Sequence, residues 1–317
     1  MTSTEPPGGL VQRAREAFDN VDADPDRFRP VAQALVAEAR RAGQPEGLAL
    51  ALRALAWAER LRLDERLAIR LLDEACQLAR RHHLKDTLAD LLMSHAAVSQ
   101  ELGRMAAARR DLRAAAALAT GARTTQLDFQ RAVLLQNTGR LADAAVIYQR
   151  LLSDPAVPPL PRVKSAINLA QIESDQGRYA QALRRLTQVQ PAAAEIGPAW
   201  IAFTAENRAW LTVRSGRFAE GLRLFEEAAQ ALKAANLPLG DHYHEYADAL
   251  MELRLLPEAA AAARRGMEEF VAAGAPLMAA EAQLRVAQLA LLAGDNTGAI
   301  AASRAAAAAF REQTRGA

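Results

Sequence analysis

The sequence predicts an all-α chain, an α-solenoid of about eight helical hairpins. Three repeating columns carry that expectation. Turn markers recur at Leu63, Gly103, Gly139, Gly177, Gly216, Arg254 and Gly294, spaced 40, 36, 38, 39, 38 and 40 residues apart. Seven residues before each marker stands an alanine: Ala56, Ala96, Ala132, Ala170, Ala209, Ala247 and Ala287. Five residues after each stand Ala68, Ala108, Ala144, Ala182, Gly221, Ala259 and Ala299. Self-similarity at a fixed period marks a repeat architecture. Small residues on both helices of a hairpin let the backbones approach to about 8–10 Å. A further column, nine residues after the marker, holds Leu72, Leu112, Tyr148, Leu186 and Phe225 but ends in Ala263 and Ser303. Its large members fill the space beside the small contact.

Taken in order, residues 1–9 hold Pro6, Pro7, Gly8 and Gly9 with no period and are expected to be a disordered tail. Residues 10–45 form an irregular opening hairpin, as terminal repeats often do. Asp24-Pro25 supplies a cap and a first-turn proline, Pro30 strains the early helix, and Gly43 ends it near Arg41. The array proper covers 46–317. Its hairpins fall at about 46–83, 86–120, 123–153, 161–195, 198–235, 240–273 and 276–313. Each reads as an apolar stripe, a turn and a second stripe. Phe218, Leu222, Phe225, Ala229 and Leu232 show the helical period plainly. No helix can cross Asp154–Pro161, which holds four prolines. A hinge or domain boundary and a rigid spacer are both open there; the unbroken register favours the spacer. The last helix carries Ala305, Ala306, Ala309 and Phe310 and no polar capping helix follows. That leaves either the front part of a longer protein, a face covered by a partner, or a terminal helix that tolerates water.

These columns resemble the tetratricopeptide repeat, over roughly residues 46 to 313. The resemblance implies a right-handed superhelix whose first helices line a groove for proteins or peptides. The departures are a repeat longer than about 34 residues and the loss of the family's early Trp, mid-helix Tyr and closing Pro. Carried onto this chain, the groove positions are Arg53, Trp57 and Arg60; Met93 and Gln100; Phe129 and Gln136; and Lys164, Asn168 and Gln171. Beyond these come Glu206, Asn207 and Trp210, then His244, Asp248 and Met251, then Arg285 and Gln288. Trp57 and Trp210 stand out, because large rigid aromatics are enriched at binding hot spots. Filling space between adjacent repeats is the competing role for both. Some relatives grip a C-terminal carboxylate with a Lys/Asn/Asn/Lys/Arg clamp. Asn168 and Asn207 match two of its positions, but the next repeat offers Glu245 for Arg, so a chaperone-tail receptor is not expected. The stretches Asp22–Arg27, Leu50–Leu55 and Pro276–Ala282 are similar to actinobacterial proteins in which a repeat array precedes a caspase-like CHAT protease domain. That resemblance implies a sensor or substrate-recognition arm controlling such a domain, with no catalytic residue in this chain. The alternative is the ligand-sensing arm of a bacterial transcriptional regulator.

Composition narrows the class. The 317 residues are 51% hydrophobic and only 5% aromatic, which favours close-packed helices over a sheet sandwich. Lys and Arg number 39 against 37 Asp and Glu, a net charge of +2 that gives no basic face for nucleic acid. No run approaches the ~20 apolar residues of a membrane span, and no leader is evident, so the expected location is the cytoplasm. Cys76 is the single cysteine and reads as a buried apolar residue on a helix. No phosphate loop or nucleophile motif is present, so no enzyme activity and no cofactor are expected. His242, His244, Glu245 and Asp248 come nearest to a metal set but lack any zinc-site spacing, so no metal is expected.

Overall fold

The computed structural model describes residues 9–21, 25–62, 64–234, 237–273 and 275–315. The expected tail over residues 1–8, the Asp24 cap and the turn at Leu63 lie outside the described residues. Among the described residues there are sixteen α-helices and no strand. They are α1 (Leu10–Asn20), α2 (Pro25–Ala42), α3 (Pro45–Leu61), α4 (Glu65–Arg81), α5 (Lys85–Glu101), α6 (Met105–Ala116), α7 (Ala122–Asn137) and α8 (Leu141–Ser153). Then follow α9 (Pro159–Asp175), α10 (Tyr179–Ile196), α11 (Pro198–Arg214), α12 (Phe218–Ala234), α13 (Gly240–Glu252), α14 (Leu256–Ala272), α15 (Pro276–Leu292) and α16 (Asn296–Arg315).

The helix ends follow from local chemistry. Pro45, Pro159, Pro198 and Pro276 each open a helix, where the missing N–H costs nothing. Asp64 and Asp295 accept from the backbone N–H of Leu67 and Gly298, both at 2.8 Å. Gly103, Gly139, Gly177, Gly216 and Gly294 all sit at positive φ between 70° and 85°. At Gly177 the paired bonds of a Schellman turn are present. Gly177 N donates to Ser174 O at 2.8 Å and Arg178 N to Glu173 O at 2.8 Å. Arg254 adopts φ 61° and the same pair is kept: Arg254 N donates to Met251 O and Leu255 N to Leu250 O, both at 3.0 Å. The turn position is therefore fixed by the register even where glycine is absent.

The two small columns are the crossing points of the hairpins. The seven first-helix alanines are at most 3% exposed, and Ala68, Ala108, Ala144, Ala182 and Ala259 are fully buried. Gly221, the lone glycine in its column, has a reason. A Cβ there would lie 2.5 Å from Val213 Cγ2 and 2.8 Å from the Val213 backbone nitrogen. Alanine is the better helix former by about 1 kcal/mol, but overpacking against a backbone atom costs about 1–3 kcal/mol. Gly221→Ala should therefore lose about 1 kcal/mol net, read by urea denaturation. A gain would mean that α11 and α12 are not in close contact at this point.

The chain divides into two compact units, residues 1–151 and 152–317. The division falls in the last turn of α8, just before the proline-rich segment; α8 ends at Ser153 and α9 begins at Pro159, so no helix runs the length of that segment. Val157 is 3% exposed within that segment, and Arg162 holds it by donating to Val157 O at 2.6 Å and Pro155 O at 3.1 Å. In unit 1, α1 packs on α3 as well as on α2, so the opening hairpin is folded onto the first regular repeat. In unit 2, helices pack on their sequence neighbours from α9 to α12 and from α13 to α16, α12 meets α13 through the Phe225 and Tyr246 rings, and α11 also reaches α9 and α13. No described helix is long and apolar enough to cross a membrane.

Candidate functional site

In unit 1, α1, α3, α5 and α7 enclose an open cavity of about 370 Å³. Arg53 stands at its centre. Its guanidinium lies 3.7 Å over the Phe18 ring, and its Nε donates to Ser94 Oγ at 2.8 Å. Phe18 in turn meets Trp57 at 5.4 Å, and the Arg60 guanidinium lies 4.4 Å over Trp57. Arg60 is itself held by Glu101, at 2.5–3.0 Å. Trp57 is thus a half-buried member of a four-residue stack. Burial draws Arg53 down to about 10, against the pull of Asp90 and Asp19. Arg123 is bound to Asp90 at 2.9 Å, and burial pushes the Asp19 carboxyl up.

Three expected groove residues of unit 1 turn inward. Phe129 is 8% exposed and packs on Tyr148. Met93 and Gln100 are also buried, and Gln100 accepts from Asn137 at 3.1 Å. Gln136 is half-buried and accepts from the Tyr148 hydroxyl at 3.0 Å. Phe129 and Gln100 are core groups rather than groove residues, and Met93 shows only the wall of the unit 1 cavity.

In unit 2, α11 carries an aromatic stripe that is partly open to solvent. Trp200, Phe203, Asn207, Trp210 and Arg214 recur at helical spacing on one face. Phe203 is 52% exposed. Asn207 donates to Phe203 O at 2.9 Å, and Lys164 Nζ lies 5.4 Å from the Trp200 ring. Trp210 is half-buried against the cluster of Ala209, Val213 and Phe225. Gln171 donates to Asp175 at 3.0 Å, and Arg214 pairs with the same carboxylate at 3.4 Å. Asn168 is half-buried beside them on α9.

Glu206 is not a groove residue. One residue is about 100° of helical rotation, so when Asn207 faces outward Glu206 faces in. It is 6% exposed and accepts from His242 Nδ1 at 2.7 Å. On α13 and α15, Asp248 is paired with Arg285 at 3.0 Å, and Arg285 also donates to Gln288 at 2.9 Å. His244 and Met251 are half-buried on α13. Among the described residues no three His, Cys, Asp or Glu side chains come together as a metal set.

The same face is acidic. Partial desolvation, reinforced by Glu206, Asp241 and Asp248, pushes the Glu245 carboxyl up to about 7, although the residue keeps an exposed surface. A carboxyl raised on folding binds its proton more tightly in the folded state. Its contribution is full below the unfolded value of 4.5 and is lost as pH rises through about 7. Glu245→Gln should raise the melting temperature at pH 8 and leave it unchanged at pH 4.5, as read by circular dichroism. Equal effects at both pH values would contradict the crowding of carboxylates there.

No protein-family model matches the sequence, and no curated protein matches it. Solved structures do match in fold. The quorum sensor NprR from B. thuringiensis, in its apo form, aligns with a TM-score of 0.66 at 13% identity, covering 95% of this chain and 86% of that one. A Rap protein complexed with Competence and Sporulation Factor gives 0.59 at 12% identity, covering 96% and 99%. A tetratricopeptide repeat protein from Parabacteroides merdae gives 0.52 at 16% identity, covering 82% and 93%. At these identities the likeness is one of architecture: the chain has the all-α helical-repeat fold of tetratricopeptide-type proteins.

Proposed function

We propose that the chain is a scaffold that binds protein or peptide segments and acts as the recognition arm of a sensor. The α11 stripe carries this reading. A first helix normally buries its large side chains between its neighbours. Here Phe203 stays half in water, with Trp200, Trp210 and the Asn207 amide on the same face. Aromatic anchors beside an amide and a lysine suit an extended peptide, whose binding energy concentrates on few residues. The like-folded NprR is a quorum sensor, and the Rap structure holds a bound factor, which favours ligand sensing as the role. The similarity of Asp22–Arg27, Leu50–Leu55 and Pro276–Ala282 to CHAT-associated arrays supports a CHAT-type protease domain as the output of that arm.

Selection from a displayed random-peptide library tests the reading. Peptides should be enriched, and Phe203→Ser together with Asn207→Ala should weaken them at least tenfold with the melting temperature nearly unchanged. Binders that ignore both substitutions would remove α11 from the site.

A further inference from the structure

Arg53 and Asp19 both line the unit 1 cavity and feel each other's charge, yet no hydrogen bond or ion pair joins them among the described residues. Arg53 is fixed by the Phe18 ring and by Ser94, which hold only its flat face and its Nε. No carboxylate lies within 4.0 Å of its terminal nitrogens among the described residues. Asp19, on the facing helix α1, likewise has no hydrogen-bond or ion-pair partner among them. The other charges at the cavity are engaged: Arg123 by Asp90 at 2.9 Å, and Arg15 by Glu46 at 3.6 Å. Between the two free charges the wall is apolar, formed by Ala14, Leu50 and Met93 as well as Phe18.

A guanidinium immobilised by stacking presents its outer N–H pair as a ready fork for a carboxylate. Asp19 would oppose a phosphate, which carries more negative charge and no cationic donor. Asp19 is exposed at the cavity and accepts no hydrogen bond among the described residues, so an ammonium can reach it and supply the missing donor. One small molecule can answer both groups if it carries a carboxylate and an ammonium around an apolar body. We propose that the cavity between α1, α3, α5 and α7 binds a small zwitterion of the α-amino-acid type. Its carboxylate would sit on Arg53, its ammonium on Asp19 and its side chain against Phe18 and Met93. This site is separate from the α11 stripe and does not depend on peptide binding there.

The probes are the twenty free α-amino acids and the dipeptide Leu-Leu, titrated by calorimetry into the whole chain. The Met93 methyl resonance, followed in parallel, locates the site. At least one probe should bind with a dissociation constant of millimolar or better and shift the Met93 signal. For that probe, the N-acetyl and C-terminal amide derivatives should each bind at least tenfold more weakly. Asp19→Asn should remove the penalty for acetylation, and Arg53→Met should remove the penalty for amidation. Should Arg53→Met fail to fold, the wild-type contrast between acid, amide and acetylated forms decides the matter. Absence of binding by every probe overturns the proposal. So does equal binding of the blocked derivatives, or a Met93 signal that stays still, or inorganic phosphate binding more tightly than any amino acid. Loss of library-selected peptides at α11 leaves these outcomes unaffected, so the two readings fail independently.

Discussion

Arg185→Met is expected to cost about 3–5 kcal/mol of stability, the range for stripping one partner from a buried ion pair. Glu173 on α9 is fully buried, and Arg185 on α10 reaches it with two nitrogens, at 2.5 and 3.1 Å. Without the guanidinium the carboxylate has neither water nor a cation. The backbone of Glu173 also accepts the turn hydrogen bond from Arg178, so a side chain forced outward would disturb the Gly177 turn. Replacing both partners, Glu173→Met with Arg185→Met, should recover most of the loss, because the double change leaves no buried charge. Urea denaturation of the three variants reads the coupling. A single-variant loss below about 1 kcal/mol would mean that the pair contributes little to holding α9 on α10.

Ala170→Leu should lose about 1–3 kcal/mol by overpacking. Ala170 is 1% exposed and packs with Ala182 and Leu186 of α10 and Leu211 of α11. Three extra carbons have no space to enter without prising two helices apart. Gln188→Lys, an exposed change on the same hairpin, should stay within about 0.5 kcal/mol. If the two variants denature alike, the alanine column is not the crossing point.

The hairpins were legible because their determinants are local. A positive-φ turn, a small residue seven before it and another five after it all lie within one short segment, as from Ala170 to Ala182. That local code placed even Arg254, whose identity gives no hint of a left-handed turn. Facing was harder to read. A stripe assigned by analogy to another family carries an uncertainty of one residue, and one residue turns a side chain by about 100°. The analogy turns Glu206 outward, yet it binds His242; it also turns Phe129 outward, and Phe129 fills the space beside Tyr148. The period of α11 itself held the better signal. Trp200 and Phe203 complete the stripe of Asn207 and Trp210 and could have been found by extending it toward Pro198. The unit 1 cavity was not legible. Asp19, Arg53, Asp90 and Arg123 come from four helices spread over about a hundred residues, and they meet only because α1 folds onto α3.

Hydrogen exchange on the chain bound to a library-selected peptide tests the central claim of first-helix recognition most directly. Protection should rise along α11 and its first-helix neighbours α9 and α13, while α10 and α12 exchange as in the free chain. Protection confined to α10, α12 or the terminal helix α16, with α11 unchanged, would contradict it and place binding on the opposite helices.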